Sequence, residues 1–144
     1  MTNIPDVVNF LYKVPVFQGL KKHQLEQLAK RFVERDFPLG TQIVTQGQGG
    51  EGFFIVQSGK VDVIRERADG TKAVVNQMSS GDFLGELALL DNGLRTATVI
   101  TTETTRCLVL TRWDFLALLR EDADMAVTIL EELTRRFRLA LDSL

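Results

Sequence analysis

The chain has 144 residues, of which 44% are hydrophobic and 25% are charged, and its formal net charge is −2. This composition is typical of a soluble globular protein, and the length allows one domain with a proper hydrophobic core. The slightly acidic balance argues against a general nucleic-acid or membrane-surface binder, because such proteins use a basic excess to bind phosphates. No apolar run approaches the roughly 18 residues of a membrane span. The N-terminus lacks a secretory signal and Cys107 is the single cysteine, so we expect a cytoplasmic protein.

The N-terminal part, from about residue 5 to residue 31, has a helical pattern. Apolar residues recur at near-helical spacing after a break at 15–19, namely at Leu20, Leu25, Leu28 and Phe32. The break contains both proline and glycine, which interrupt helices. We therefore predict short N-terminal helices on either side of it.

The middle part, about residues 32–111, changes to short β-type runs separated by glycine and turn residues. The candidate strands are 32–37, 42–45, 52–57, 61–67, 72–78, 97–101 and 106–110. Asp69-Gly70 is a strong hairpin signal, because this pair tolerates the positive φ values of a tight turn. Many short strands with regular turns predict a sandwich or a double-sheet jelly-roll barrel.

The last part, about residues 112–144, returns to helix. A short helix starts near Arg112 and a longer one near Ala123. The longer helix carries one apolar stripe, which consists of Ala126, Leu130, Leu133, Phe137 and Leu141. Packing against its own barrel and contact in a homodimer both explain this stripe, and the charges between 131 and 138 form a solvated face. The predicted architecture is a single domain of N-terminal helices, a β-roll and C-terminal helices.

The stretch from Gly81 to Leu90, followed by Arg95, contains the parts of an anion site. A glycine such as Gly85 lets the backbone approach a ligand without a Cβ clash. Free N–H groups at the start of a short helix attract negative charge, and the Arg95 guanidinium offers a planar fork to two phosphate oxygens. A carboxylate beside a phosphate, as at Glu86, is best explained if it faces hydroxyl groups. The segment therefore predicts a site for a phosphorylated ribose.

These residues resemble the phosphate-binding cassette of the cyclic nucleotide-binding domain family, to which the catabolite activator protein's ligand-binding domain belongs. The cassette would span 84–97. Supporting matches run in order along nearly the whole chain, at 17–20, Gln46-Gly47, 53–56, Gly59 and Gly81-Asp82. Two departures, Leu84 and Leu94, stand where many members have phenylalanine and proline, and they bear on affinity more than on identity.

The resemblance implies a role for each cassette residue. Glu86 would accept a hydrogen bond from the ribose 2′-hydroxyl, although it could instead only cap the Arg95 fork. Arg95 would pair with the exocyclic oxygens of the cyclic phosphate. The implied ligand-binding set is Gly85, Glu86, Leu87, Ala88, Arg95, Thr96 and Ala97, with the backbone N–H groups of Gly85, Leu87 and Ala88 around the phosphate. Thr96 could meet the 2-amino group of guanine or the phosphate itself, and family frequency favours cyclic AMP over cyclic GMP.

The sequence offers no route to catalysis. Its one histidine, His23, is far from the cassette, whereas a metal-dependent protein of this architecture needs clustered histidine or carboxylate ligands. Cys107 lies in an apolar run and is expected to pack within a strand. We therefore expect no catalytic residue, no metal and no cofactor, and a ligand that acts as a signal.

The C-terminal helix is the predicted moving part. Phe137, Arg138 and Leu141 are candidates for a lid over the base, since an arginine or an aromatic ring can stack on a purine. The chain would then act on an effector protein through its helices, without direct binding of DNA or membrane. The alternatives are the ligand-binding part of a transcription regulator cut before its DNA-binding domain, and a ligand-free interaction or dimerisation domain.

Overall fold

A computed structural model of the protein describes residues 3–49, 52–91 and 93–144. Contacts group these residues into two compact units. The helical unit contains the residues up to Arg31 and those of Trp113–Leu144, and the β unit contains Phe32–Arg112. That the whole chain acts as one domain stays a prediction.

The described residues form five α-helices and one short 3₁₀-helix. They are α1 (Ile4–Leu11), the 3₁₀-helix (Pro15–Phe17), α2 (Lys22–Ala29), α3 (Ala88–Asp91), α4 (Arg112–Glu121) and α5 (Ala123–Asp142). The predicted break falls where Pro15 opens the 3₁₀-helix and Gly19 takes a φ of 91°. Asp122 caps α5, because its Oδ1 accepts a hydrogen bond from the N–H of Met125 at 3.1 Å. None of the described helices is long and apolar enough to cross a membrane.

The buried face of α5 is not the one that the periodicity predicts. Met125 and Ile129 are the residues of α5 that are buried. The predicted stripe is largely accessible, with Leu130 63%, Phe137 64% and Leu141 50% exposed. Residues four apart share a helix face, and α5 has two such apolar faces, of which the shorter is packed. Within the helical unit, these three residues are therefore not part of the packed face of α5.

The β unit consists of eight strands in two antiparallel sheets. The strands are β1 (Val33–Phe37), β2 (Gln42–Val44), β3 (Gly52–Ser58), β4 (Val61–Glu66), β5 (Lys72–Met78), β6 (Phe83–Leu84), β7 (Thr98–Thr101) and β8 (Thr105–Thr111). One sheet has the order β1-β8-β3-β6 and the other β2-β7-β4-β5. Among the described residues the strands thus form two separate four-stranded sheets rather than a closed barrel.

Apolar side chains from both sheets make the core of the β unit. The cluster contains Val44, Phe54, Val56, Val61, Leu84, Val99, Cys107 and Val109. Cys107 is fully buried, as predicted, and burial raises the pKa of its thiol to about 11. A thiol with so high a pKa carries almost no thiolate at neutral pH, so Cys107 serves packing.

Candidate functional site

A cavity of about 310 Å³ opens in the β unit, beside α3. Its floor is apolar and comes from the strands, through Val44, Val63, Met78, Leu84 and Val99. Its polar groups come from one stretch of chain, which contains Glu86, Arg95 and Thr96. A mostly apolar cavity with a few convergent polar groups is the usual form of a small-molecule site, for which about 300 Å³ is the lower end of the range.

Every residue of the predicted ligand-binding set lines this cavity. They are Gly85, Glu86, Leu87, Ala88, Arg95, Thr96 and Ala97. The two ends of the set come together because β6 leads into α3 and the chain returns through Arg95 into β7. The structure thus brings the predicted anion-binding and hydroxyl-binding groups to one place.

Arg95 is partly buried, and its guanidinium is only partly satisfied. Its Nη2 donates a hydrogen bond to the carbonyl oxygen of Gly52 at 2.5 Å. Its Nε is buried, and no described residue accepts a hydrogen bond from it. Burial lowers the pKa of Arg95, and the negative charge of Glu86 raises it in part. A buried donor without an acceptor is costly, so an anion that reached this guanidinium would gain a hydrogen bond that the described residues do not supply.

Gly85 makes room for the Arg95 side chain. Its φ of 85° lies in the left-handed region, which favours glycine. A Cβ on Gly85 would clash with Nη1 of Arg95 and would lie 2.6 Å from the carbonyl oxygen of Gly52. The close approach predicted for this glycine is therefore made to the arginine.

The main chain of Arg95 is fixed from both sides. The N–H of Gly47 donates to the carbonyl oxygen of Arg95 at 2.9 Å, and the N–H of Arg95 donates to the carbonyl oxygen of Gln48 at 2.9 Å. An isolated bridge between Gly49 and Leu94 continues this pairing. The guanidinium therefore projects from a backbone that is held before any ligand binds.

Glu86 faces the cavity without an ion pair. Among the described residues no basic group lies within 4.0 Å of its carboxylate. Its charge still acts on Arg95 over a longer distance. This arrangement does not support a role limited to capping the Arg95 fork, and the carboxylate remains able to accept a hydroxyl hydrogen.

The backbone N–H groups around α3 differ in their availability. The N–H of Ala88 already donates to the carbonyl oxygen of Gly85 at 3.1 Å. Those of Gly85, Glu86 and Leu87 find no acceptor among the residues that the structure describes. Of the three N–H groups predicted to surround a phosphate, two are thus free, and Ala88 would have to share its hydrogen bond.

The predicted lid residues lie on α5, in the helical unit. Phe137, Arg138 and Leu141 are all exposed. Their role as a lid stays a prediction.

Sequence reasoning missed two kinds of site residue. The first is the carbonyl oxygen of Gly52, a backbone atom that leaves no side-chain signal. The second is the apolar floor, of which Val63 and Met78 could have been found from the inward alternation along β4 and β5. A turn at the rim, in which the N–H of Gly93 donates to Oδ1 of Asp91 at 2.8 Å, was also missed.

A family model for the cyclic nucleotide-binding domain matches residues 34–122. The cyclic AMP receptor protein of Thermus thermophilus is 35% identical to this chain over 124 residues, which cover 86% of this chain and 57% of that protein. A cGMP-dependent protein kinase of Caenorhabditis elegans is 35% identical over 95 residues, which cover 65% of this chain and 12% of the kinase. The chain therefore spans little more than half the length of the first of these relatives.

A solved structure confirms the predicted fold class. The N-terminal domain of a transcriptional regulator from Streptomyces coelicolor has a TM-score of 0.84 at 27% identity, with 94% of this chain and 96% of that one covered. Mainly antiparallel sheets with flanking helices, in a jelly-roll arrangement, are thus common to this chain and its structural neighbours. The residues matched by the family model, 34–122, include all those that line the cavity.

Proposed function

The chain belongs to the cyclic nucleotide-binding domain family, and we propose that it is a sensor module that binds one cyclic nucleotide in the cavity of its β unit. The observation that carries this proposal is the buried Nε of Arg95, which has no acceptor among the residues that the structure describes. A cyclic phosphate diester carries a single negative charge, which must be compensated when it is buried. Arg95 stays protonated under ordinary conditions and offers paired donors to the two exocyclic oxygens.

The other polar groups of the cavity fit the rest of the nucleotide. The Glu86 carboxylate accepts the hydrogen of the ribose 2′-hydroxyl, and the free N–H groups before α3 assist at the phosphate. The apolar floor suits the face of a purine ring. The site needs neither a metal ion nor a cofactor for this task, and the ligand acts as a signal rather than as a substrate.

Cyclic AMP is our preferred ligand, with cyclic GMP as the alternative. A relative named for cyclic AMP matches 86% of this chain, but another matches 62% and one named for cyclic GMP matches 74%, so the preference rests on family frequency. Thr96 is exposed at the rim of the cavity, where its hydroxyl could serve the phosphate or a guanine 2-amino group. A direct comparison of the two nucleotides decides between them.

Calorimetric titration with cyclic AMP and cyclic GMP tests the proposal. We expect one site per chain in the wild-type protein, and a loss of two or more decades in affinity for Arg95→Lys, because a lysine keeps the charge without the planar fork. Arg106→Lys is the matched control, since Arg106 is exposed and pairs with Asp36 away from the cavity lining. Near-native affinity of Arg95→Lys would refute the two-pronged role, and no binding of either nucleotide to the wild type would refute the function.

We further propose that α5 transmits the signal by moving as Phe137, Arg138 and Leu141 close over the base, which shifts the population between two helix positions. Truncation before Leu133 should weaken binding and raise hydrogen exchange around the cavity. Unchanged affinity together with unchanged exchange would exclude a lid. The signal would reach an effector protein in the cytoplasm.

The exposed stripe of α5 also offers a surface for a homodimer. Leu130 and Phe137 are each more than 60% exposed, and burial of such side chains against a second copy is favourable. Sedimentation of Leu130→Glu should give a monomer where the wild type gives a dimer, with Leu139→Glu, an exposed leucine on the opposite face of α5, as the control. A monomeric wild type would contradict this part.

A second candidate function is the ligand-binding part of a longer transcription regulator. It is favoured by the 96% coverage of an N-terminal regulator domain and by the 57% coverage of the Thermus thermophilus protein. In that arrangement DNA binding would belong to a further domain and not to the residues described here. Translation of the natural reading frame beyond Leu144 distinguishes this candidate, since a helix-turn-helix should then follow.

A further inference from the structure

Gln46 connects three parts of the β unit, although it does not line the cavity. Its side-chain amide pairs with the main chain of Glu66, with Nε2 donating to the carbonyl oxygen at 2.9 Å and Oε1 accepting from the N–H at 2.8 Å. Its own main-chain N–H donates to Oγ1 of Thr98 at 2.9 Å. One residue thus joins the turn that follows β2 to the last residue of β4 and to the first residue of β7.

The two residues that follow Gln46 make the main-chain hydrogen bonds to Arg95. Gly47 donates to the carbonyl oxygen of Arg95, and Gln48 accepts from its N–H, both at 2.9 Å. The position of the Arg95 backbone therefore depends on where the segment 46–48 lies. Besides its covalent link to β2 and the hydrogen bond from the N–H of Gln48 to the carbonyl oxygen of Thr45, that segment is tied to the sheets through the side chain and the N–H of Gln46.

The chemistry of this pairing requires a primary amide. A glutamine amide presents one donor and one acceptor side by side, as a peptide group does, so it can pair with both main-chain groups of Glu66. An ionised glutamate could accept from the N–H of Glu66 but could not donate to its carbonyl oxygen. Alanine would lose both hydrogen bonds.

We propose that Gln46 is a positioning residue, which sets the affinity for the cyclic phosphate by holding the backbone from which Arg95 projects. The inference rests on the proposed function, in that Arg95 must bind the phosphate for Gln46 to affect affinity. Binding groups have to be held within about 0.5 Å of their productive position. Release of the segment 46–48 would let the guanidinium move away from that position.

The first test needs no ligand. Amide hydrogen exchange is measured by NMR at Arg95 and Gly47 in the wild type, Gln46→Ala, Gln46→Glu and the control Gln77→Ala. Gln77 is another glutamine of the β unit and is exposed, and its amide donates to a side chain, Oδ1 of Asp62, at 3.1 Å. We expect exchange at both amides to be about tenfold faster in Gln46→Ala, less accelerated in Gln46→Glu, and unchanged in Gln77→Ala.

The second test is a double-mutant cycle with Arg95→Lys, with cyclic AMP as the titrant. Gln46→Ala should weaken binding roughly tenfold when Arg95 is present and by less than about twofold in the Arg95→Lys background, since coupled residues are not additive. A loss of general stability would weaken binding equally in both backgrounds.

The outcomes separate the two proposals. Unchanged exchange at Arg95 in Gln46→Ala overturns the positioning role, and so does an affinity loss that is equal in both backgrounds. If the wild type binds no cyclic nucleotide, the proposed function fails, and the exchange rates still decide whether Gln46 holds the Arg95 backbone. Accelerated exchange with a background-dependent affinity loss supports both.

Discussion

Two arginines of the β unit sit in opposite environments. Arg106, on β8, lies on the surface with its Nε 2.8 Å from Oδ1 of Asp36, and this hydrogen bond raises its pKa. Arg95 lies at the cavity with a buried Nε that has no acceptor among the described residues, and burial lowers its pKa. The surface arginine is paired with a carboxylate, whereas the cavity arginine makes one hydrogen bond to a carbonyl oxygen and keeps a buried Nε without an acceptor among the described residues.

The difference shows which of the two arginines can gain free energy when an anion binds. A charge that is already paired gains little from an added anion, because its partner must be displaced. A partly desolvated charge without a partner costs stability in the free protein and regains that cost when an anion binds. The four experiments below change one side of this comparison at a time, from the largest expected effect to the smallest.

Removal of the cavity arginine should have the largest effect. Arg95→Ala is expected to weaken cyclic AMP binding by about 3–5 kcal/mol, because it leaves the phosphate buried and unpaired. This loss corresponds to two or more decades in the dissociation constant. Calorimetry measures it, with Arg106→Ala as the control that should keep wild-type affinity. Equal losses in both variants would show that general charge, rather than the cavity, attracts the ligand.

A methyl group added at Gly85, next to the Arg95 side chain, should have the next largest effect on stability and affinity. Gly85→Ala places a Cβ against Nη1 of Arg95 and the carbonyl oxygen of Gly52, and it also strains a backbone with a φ of 85°. We expect destabilisation of about 1–3 kcal/mol in chemical denaturation, with a loss of ligand affinity besides.

Gly70→Ala is the control for backbone strain alone. Gly70 has the same φ of 85°, but a Cβ there would meet nothing within 4 Å. It should destabilise the fold less than Gly85→Ala and leave affinity unchanged. Equal effects of the two substitutions on stability and binding would argue against a packed Arg95.

Removal of the Glu86 carboxylate should mainly reduce the selectivity for ribose over 2′-deoxyribose, with a smaller effect on affinity in general. The wild type should prefer cyclic AMP over its 2′-deoxy analogue by about tenfold, because the analogue leaves Glu86 without a donor. Glu86→Ala should bind the two ligands equally. A preserved preference in Glu86→Ala, measured by competition, would assign the 2′-hydroxyl to another residue.

Removal of the surface ion pair between Arg106 and Asp36 should have the smallest effect on stability. The direction in which this effect changes with pH follows from the pKa of Asp36. The Arg106 hydrogen bond lowers the pKa of Asp36 below 3.8 in the folded protein. Its stabilising contribution is therefore present above the unfolded pKa and is lost as pH falls through the lower folded value. Arg106→Ala should melt only a few degrees below the wild type at pH 7, and the gap should shrink as pH falls through the folded pKa of Asp36. A gap that widens on acidification would contradict this assignment.

The strands and the polar lining of the cavity were predictable because the residues that indicate them are close together in the sequence. Glycine and Asp-Gly turns delimit the strands, and the cassette residues are nearly contiguous, so the chain path alone brings Glu86 and Arg95 together. The strand Phe83–Leu84 was missed, since two residues carry no periodicity. The carbonyl oxygen of Gly52 was missed because every residue has one.

The apolar face of α5 shows the limit of periodicity. The sequence contains two overlapping stripes, one through Met125 and Ile129 and one through Leu130 and Phe137, and both repeat at helical spacing. Which one is buried depends on tertiary packing, and the structure buries the shorter. The pairing of Gln46 with Glu66 is long-range in the same sense, since twenty positions separate the two residues.

The most direct measurement is an NMR titration of the arginine side-chain Nε–H groups with cyclic AMP. The account predicts that the Arg95 Nε–H resonance shifts and saturates at one nucleotide per chain, while that of Arg106 stays in place. Saturable binding that leaves the Arg95 resonance unmoved would contradict the claim that this guanidinium receives the phosphate.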